Sequence, residues 1–182
     1  MTDWVIYGGG GHAKVIGDAV KLSGDRLITY FDDNKDLSSI NCIPVFPYHE
    51  SIEQQANMII GIGNNEVRRN ISKYIVHDFG TVIHPKAIVA DDVIIGEGSV
   101  VLAGAVIQSG ATIGKHVVIN ANVTIDHDVV IEDFCSIYPN SYIGGGAKIG
   151  AGVSIDACSS LARLTEVPSV FEIDDVNALE LY

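Results

Sequence analysis

The second half of the chain carries one hydrophobic pattern without a break. From Ile83 an aliphatic residue returns at every sixth position, through Val89, Ile95, Val101, Ile107, Ile113, Ile119, Ile125, Ile131, Ile137, Ile143, Ile149 and Ile155 to Leu161. Those are fourteen consecutive matches with no insertion. Four residues after most of them stands a second small or β-branched residue, such as Ala87, Val93, Ser99, Ala105, Val117, Val123, Val129, Cys135 or Ala147. Six residues suit neither the 3.6-residue turn of a helix nor the alternation of a long strand, but they suit one short strand plus one turn. Three such units close a triangular coil with the aliphatic residues inside, and the repeat predicts a parallel β-helix. The matched stretch makes about 4.7 coils, a rod roughly 20 Å tall at ~4.8 Å per coil.

The first eighty residues read differently. Residues 4–7 (Trp-Val-Ile-Tyr) form a buried strand and then Gly8-Gly9-Gly10-Gly11-His12 a turn. Residues 13–22 follow with apolar positions Val15, Ile16, Ala19 and Val20 at helical spacing, stopping at Gly24. Strands are predicted over 27–31, ending at Asp32-Asp33, and over 57–62, before Gly63-Asn64-Asn65-Glu66 opens a helix carrying Arg68 and Arg69. This alternation predicts a parallel α/β unit of the Rossmann kind. The division expected is therefore 1–80 for the α/β unit, 81–164 for the β-helix and 165–182 for a tail outside the repeat.

Glycines before a helix let the backbone approach a phosphate at free N–H groups. Gly8, Gly10, Gly11 and His12, with Asp32 and Asp33 after the second strand and the Gly63-Asn64-Asn65 turn, form the candidate binding set. Gly8-x-Gly10-x-x-Ala13 matches a dinucleotide pattern, but the repeat begins before a second mononucleotide half could fit, which disfavours NAD and hydride transfer. A glycine-rich turn without a ligand is the plain alternative.

Composition narrows the partners. Apolar residues make up 47%, and 11 Lys+Arg face 23 Asp+Glu, a net charge of -12. An acidic chain without cation clusters is a poor nucleic-acid binder. No run of 18 apolar residues predicts a membrane span. The start Met1-Thr2-Asp3-Trp4 has no secretory signal pattern, which predicts a cytoplasmic protein. Cys42, Cys135 and Cys158 are odd in number and scattered, so neither a disulfide framework nor a four-thiolate metal site is expected.

On the rod, the repeat sorts the histidines. Ile125 and Val129 take inward positions, so His127 lies on the outer turn between Asp126 and Asp128. An imidazole beside a carboxylate at a cleft edge suits a general base. One coil further, Gly145 stacks beneath His127, where a bare N–H could meet an oxyanion. Asn120 is expected close to the same edge. A solvated polar turn stays open as the alternative from spacing alone. Cys135 falls at an inward position and reads as packing.

These residues resemble the bacterial sugar acetyltransferases that join an N-terminal nucleotide-sugar domain to a left-handed β-helix, the UDP-4-amino-sugar N-acetyltransferases and sialic acid O-acetyltransferases. The likeness rests on Tyr7-Gly-Gly-Gly-Gly-His-Ala-Lys-Val15, Phe31-Asp-Asp33, Ile62-Gly-Asn-Asn-Glu-Val-Arg68, Ile83-His-Pro-Lys-Ala87 and Ile119-Asn-Ala-Asn-Val-Thr-Ile-Asp-His-Asp-Val129. The resemblance implies a left-handed coil, a homotrimer with sites between subunits, acetyl-CoA as donor and a nucleotide-linked amino sugar as acceptor. It assigns His127 as base, Asp128 as its orienting carboxylate, Asn120 to sugar placement and the Gly145 N–H to the oxyanion. It gives His12, Asp32, Asp33 and the Gly63–Asn65 turn to the nucleotide. No metal is implied. Two departures stand out: Ser136 occupies the family's second-histidine position, and the repeat is read as ending at Leu161, short of the usual closing coils. Three alternatives follow: O-transfer to a hydroxyl, nucleotide-sugar binding without transfer, and a zinc enzyme of the carbonic anhydrase type. His84, His116 and His127 fall on different faces, which disfavours the last.

Overall fold

A computed structural model describes residues 1–171 of the chain. The N-terminal unit consists of β1 (Asp3–Tyr7), α1 (Gly11–Leu22), β2 (Arg26–Phe31), β3 (Ser39–Ile40), β4 (Ile43–Phe46), β5 (Asn57–Ile60) and α2 (Asn65–Ser72). Its sheet runs β3-β4-β2-β1-β5, parallel throughout except the β3–β4 hairpin. Alternation along β1 feeds two cores. Trp4 and Ile6 pack with Ala13, Ile16, Ala19 and Val20 of α1, while Val5 and Tyr7 pack with Phe31, Met58 and Ile60 on the opposite side. That opposite side is closed by Tyr48, Ile52, Ile75 and Phe79 from non-helical segments and by α2. The Rossmann expectation therefore needs a correction. α1 provides the one helical crossover between sheet strands, and the segment joining β4 to β5 covers the sheet with turns where a doubly wound fold has a helix.

From Val82 the chain winds into fifteen two-residue strands, in three parallel sheets of five. Each strand pairs with the one eighteen residues on, as in Val106↔Thr124 and Ile107↔Ile125. The first face is Val82–Ile83, Val100–Val101, Val118–Ile119, Ser136–Ile137 and Ser154–Ile155. The second runs through Ile88–Val89, Val106–Ile107, Thr124–Ile125, Tyr142–Ile143 and Ser160–Leu161. The third runs through Ile94–Ile95, Thr112–Ile113, Val130–Ile131, Lys148–Ile149 and Glu166–Val167. The six-residue aliphatics fill the rod interior with the small residues that follow them, Ala105, Ala111, Val117, Val123, Val129, Cys135, Ala147 and Val153.

Each turn needs a left-handed residue, and every sixth position from Gly98 to Leu164 has positive φ. Glycine, asparagine and aspartate adopt that conformation most readily. Gly110, Asn122, Asp128 and Asn140 follow the rule, whereas His116, Phe134, Cys158 and Leu164 adopt it under packing.

The N-terminal unit sits on the first face. Outward Val82 and Val100, with Leu102, join the core that includes Trp4 and α1. Lower down, α2 lies over Ser136 and Ser154. The repeat also outlasts its expected end, because Glu166–Val167 pairs with Lys148–Ile149 and Val167 packs on the rod core. Phe171 then returns toward α2, with Arg69 over its ring at 4.7 Å. The rest of the 165–182 tail, 172–182, lies outside the described residues.

Candidate active site

The turn between the second and third faces carries Asp126, His127 and Asp128. Ile125 and Val129 are fully buried on either side, which forces the three polar side chains outward. The His127 side chain is about half exposed, and its Nδ1 lies 2.8 Å from Asp128 Oδ2. The positive φ of Asp128 brings its carboxylate back toward the ring. Asp128 lies below Gly110, where any side chain would collide with that carboxylate. A carboxylate only accepts, so this contact keeps the ring proton on Nδ1 and leaves the Nε2 lone pair free.

Nε2 faces Gly145. A Cβ built there would lie 2.7 Å from His127 Nε2, so the ring occupies the space a side chain would need. The stacking expected from the eighteen-residue coil is present. Asp126 turns to the other side, accepting from the His127 N–H at 2.8 Å and from the Tyr142 hydroxyl at 2.8 Å. Its carboxyl is held below the usual range, chiefly by Tyr142, with the His127 and Gly145 N–H groups adding to this.

Asn120 does not join this cluster within one chain. It stands at the turn between the first and second faces, its amide donating to the Ile137 carbonyl at 2.9 Å. One whole face separates it from His127. Ser136 is also not at the histidine edge. It is buried under α2 and donates to Asn65 Oδ1 at 2.6 Å. Cys135 is buried, its thiol pushed up to about 12 by burial, which agrees with packing rather than nucleophilic chemistry.

The second cluster lies beyond the C-terminal ends of β1 and β5. β1 is flanked by β2 on one side and by β5 on the other, which makes this the switch point where open parallel sheets bind ligands. Gly8 takes φ +114°, and Gly9 N–H donates to Asp32 Oδ2 at 2.6 Å. Gly10 caps α1 without a side-chain hydrogen bond, and Gly10, Gly11 and Gly63 border open space. Asp33 accepts from the Tyr7 hydroxyl at 3.1 Å. His12 Nε2 is buried without a partner, and burial, then the nearby Arg68 cation, lowers its pKa to about 4. Asn64 caps α2 by accepting from Val67 N–H at 2.9 Å.

Asn65 departs from its expected role. Its amide donates to Gly152 O at 2.9 Å and Ser154 Oγ at 3.0 Å, so it is committed to the rod and turned away from the crevice. Beside it, Arg68 is fully buried and donates to His116 O and Ile62 O at 2.9 Å, Asn65 Oδ1 at 2.9 Å and Phe134 O at 3.1 Å. This pair bolts the crevice loop to the rod. The sequence held one signal for it: outward valines on the first face, Val82, Val100 and Val118, give way to Ser136 and Ser154 where the polar clamp lands.

Among the described residues no group of three or more His, Cys, Asp or Glu is placed to hold a metal ion. No helix among them is long and apolar enough to cross a membrane.

A switch-point crevice of glycines joined to a hexapeptide rod with a carboxylate-held histidine on its edge defines an acyltransferase of the hexapeptide-repeat class. In sequence and in structure the chain matches bacterial nucleotide-sugar acetyltransferases. The PglD N-terminal domain matches residues 3–75, and the bacterial transferase hexapeptide (six repeats) matches 92–127 and 128–163. Among solved structures, a histidine-to-asparagine mutant of perosamine N-acetyltransferase from Caulobacter crescentus, in complex with CoA and GDP-perosamine, is 26% identical. The match covers 93% of this chain and 92% of that one, with a TM-score of 0.77. The acetyltransferase domain of PglB from Neisseria gonorrhoeae FA1090, in complex with acetyl coenzyme A, is 27% identical over 91% and 92% of the two chains, TM-score 0.69. WeeI from Acinetobacter baumannii AYE is 25% identical over 93% and 95%, TM-score 0.69. Among curated proteins, none matches by sequence.

Proposed function

We propose that this protein transfers the acetyl group of acetyl-CoA to the amino group of a nucleotide-linked amino sugar, with His127 as general base. The reading is carried by His127 itself, whose Nδ1 is held by Asp128 while Nε2 faces the side-chain-free Gly145. As the amine nitrogen bonds to the thioester carbonyl carbon, His127 Nε2 takes its proton. When the carbon–sulfur bond breaks, the imidazolium returns that proton to the departing thiolate. Asp128 holds the ring and offsets the charge it gains. No enzyme nucleophile is needed, consistent with the inaccessible Cys135. Gly145 offers room, and its N–H is the candidate oxyanion donor once Asp126 releases it. Transfer to a hydroxyl uses the same base.

His12, Gly8, Gly10, Gly11, Gly63 and Asn64 would hold the nucleotide at the crevice, with Asp32 and Asp33 shaping it through Gly9 and Tyr7. The crevice stands over the first face, whereas His127 lies on the edge opposite that face. One chain does not bring its own crevice to its own base, which favours a homotrimer with each site shared between copies. Outward Ile88 and Ile94, 67% and 65% exposed on the two uncovered faces, suit such an interface. A monomer in sedimentation, fully active, would remove the shared-site reading.

The test incubates the protein with acetyl-CoA and UDP- or GDP-linked 4-amino sugars and follows thiol release. His127→Ala is expected to lower the rate about 10²–10⁴-fold, the contribution of a positioned base. If wild type and variant are both silent while nucleotide sugar still binds, the protein is a binding protein and the transfer reading fails.

A further inference from the structure

Asp126 has no part in the proton transfer, yet both its oxygens are engaged. Oδ1 accepts from the His127 N–H and Oδ2 from the Tyr142 hydroxyl, each at 2.8 Å. Tyr142 lies in register one coil below Thr124 on the second face. The small outward Thr124 leaves its ring room to rise along the face to the turn. Tyr142 is 41% exposed, so the bond is not a by-product of core packing.

We infer that Tyr142 is a positioning residue for the transfer reaction, strapping Asp126 so that Asp126 fixes the peptide N–H from which the base projects. This rests on the reading of His127 as base. The need for a strap is physical. His127 is half exposed, and Asp128 holds only the ring; the rod ladder holds the His127 carbonyl through Gly146 N–H at 2.9 Å, while the His127 N–H on this solvent-facing turn is held by Asp126. Reaction rate depends on holding the base in place, because a misplacement of about 1 Å costs on the order of 10²-fold. Asp126, beside the base, and Tyr142, from the next coil, supply that hold, through one side chain on each.

The experiment is steady-state kinetics on the full chain with acetyl-CoA and a nucleotide-linked 4-amino sugar, for wild type, His127→Ala, Tyr142→Phe, Asp126→Ala and the double variant. Tyr142→Phe keeps the ring and removes only the hydroxyl. Its kcat is expected to fall about three- to tenfold, with both KM values within about twofold, as suits the loss of one hydrogen bond felt only in the reaction. The double variant should be no slower than Asp126→Ala, since the two act as one unit. Additive losses, a change in KM alone, or a wild-type rate in Tyr142→Phe would overturn the inference while leaving His127 as base. A second readout is independent of turnover. The His127 Cε1–H resonance, assigned by its loss in His127→Ala, should move in Tyr142→Phe, and an unmoved resonance refutes the strap even if no substrate is turned over.

Discussion

Adding one methyl group at Gly145 puts the stacked-corner geometry to its most direct test. Gly145 is not in the left-handed region, so alanine there costs no backbone strain. Its Cβ would lie 2.7 Å from His127 Nε2, 3.0 Å from Cε1 and 3.2 Å from Cδ2. Something must yield. The backbone is held by Gly146 N–H donating to His127 O at 2.9 Å and Leu164 N–H to Gly145 O at 3.0 Å, and moving it would break the rod ladder. The exposed imidazole is the softer partner and must retreat about 0.7 Å to reach ordinary contact at 3.4 Å. A shift of that order costs about 10- to 100-fold in rate. Stability should hold or rise, because Gly→Ala at a compatible φ stabilises by about 0.4–1 kcal/mol through the unfolded chain.

Gly146→Ala gives the opposite pattern. With φ +68° and a Cβ 2.8 Å from Leu164 Cδ2, it should lose about 1–2 kcal/mol and leave the rate within about threefold. Thiol release from acetyl-CoA with an amino-sugar acceptor measures rate, and thermal unfolding measures stability. A Gly145→Ala protein that turns over like wild type would show that the imidazole is not the placed base.

Two further predictions concern the junction of the two units. His116 is buried and, through burial and then the Arg68 cation, holds its pKa at about 4 against the ordinary 6.5. Because the unfolded chain takes up the proton first, its contribution is complete above pH 6.5 and fades as pH falls toward 4, by about 2 kcal/mol at pH 5. Urea unfolding at pH 7 and pH 5 should show a drop that His116→Asn, which tolerates the positive φ, reduces; an unchanged drop in that variant would contradict the assignment. Arg68→Met should cost at least about 3 kcal/mol by leaving buried carbonyls unpaired, and Arg68→Lys should not restore it, since an ammonium lacks the guanidinium fork. A lysine variant with wild-type stability in equilibrium unfolding would refute this.

The rod and its histidine edge were legible because six residues per face and eighteen per coil fix both the inward direction and the stacking partner. Once Ile125 and Val129 point in, His127 must point out, and Gly145 must lie beneath it. The same arithmetic gives the coil of Asn120, but sharing a coil does not mean sharing an edge. Asn120 and His127 share a coil yet occupy different corners, and seven positions along a triangular coil carry the chain across a face. The repeat itself runs one strand beyond its expected end. Val167 lies six residues past Leu161 and keeps the inward position, but the polar residues between them hid it.

The junction was hidden because its contacts are long-range and polar. Asn64 and Asn65 look alike in sequence, yet helical geometry sends one to cap α2 and the other into the rod, 87 residues away at Gly152. Among the described residues Arg68 has no carboxylate partner, and burial pulls its pKa down only to about 10, so it stays charged at neutral pH. Burying a cation among neutral acceptors is costly, but an apolar residue of similar volume would fill the gap and leave those carbonyls unpaired. What an apolar contact would lack is direction. The guanidinium ties the Ile62 and Gly63 carbonyls of the crevice loop to the His116 and Phe134 carbonyls of two successive coils. It thereby fixes where the crevice stands along the rod as well as against it. If a neighbouring copy supplies the base, the height of that base relative to the crevice is set by this clamp in one chain and by rod stacking in the other. A cation at the junction then serves the site from a distance, by holding the register between two surfaces that never touch within one chain.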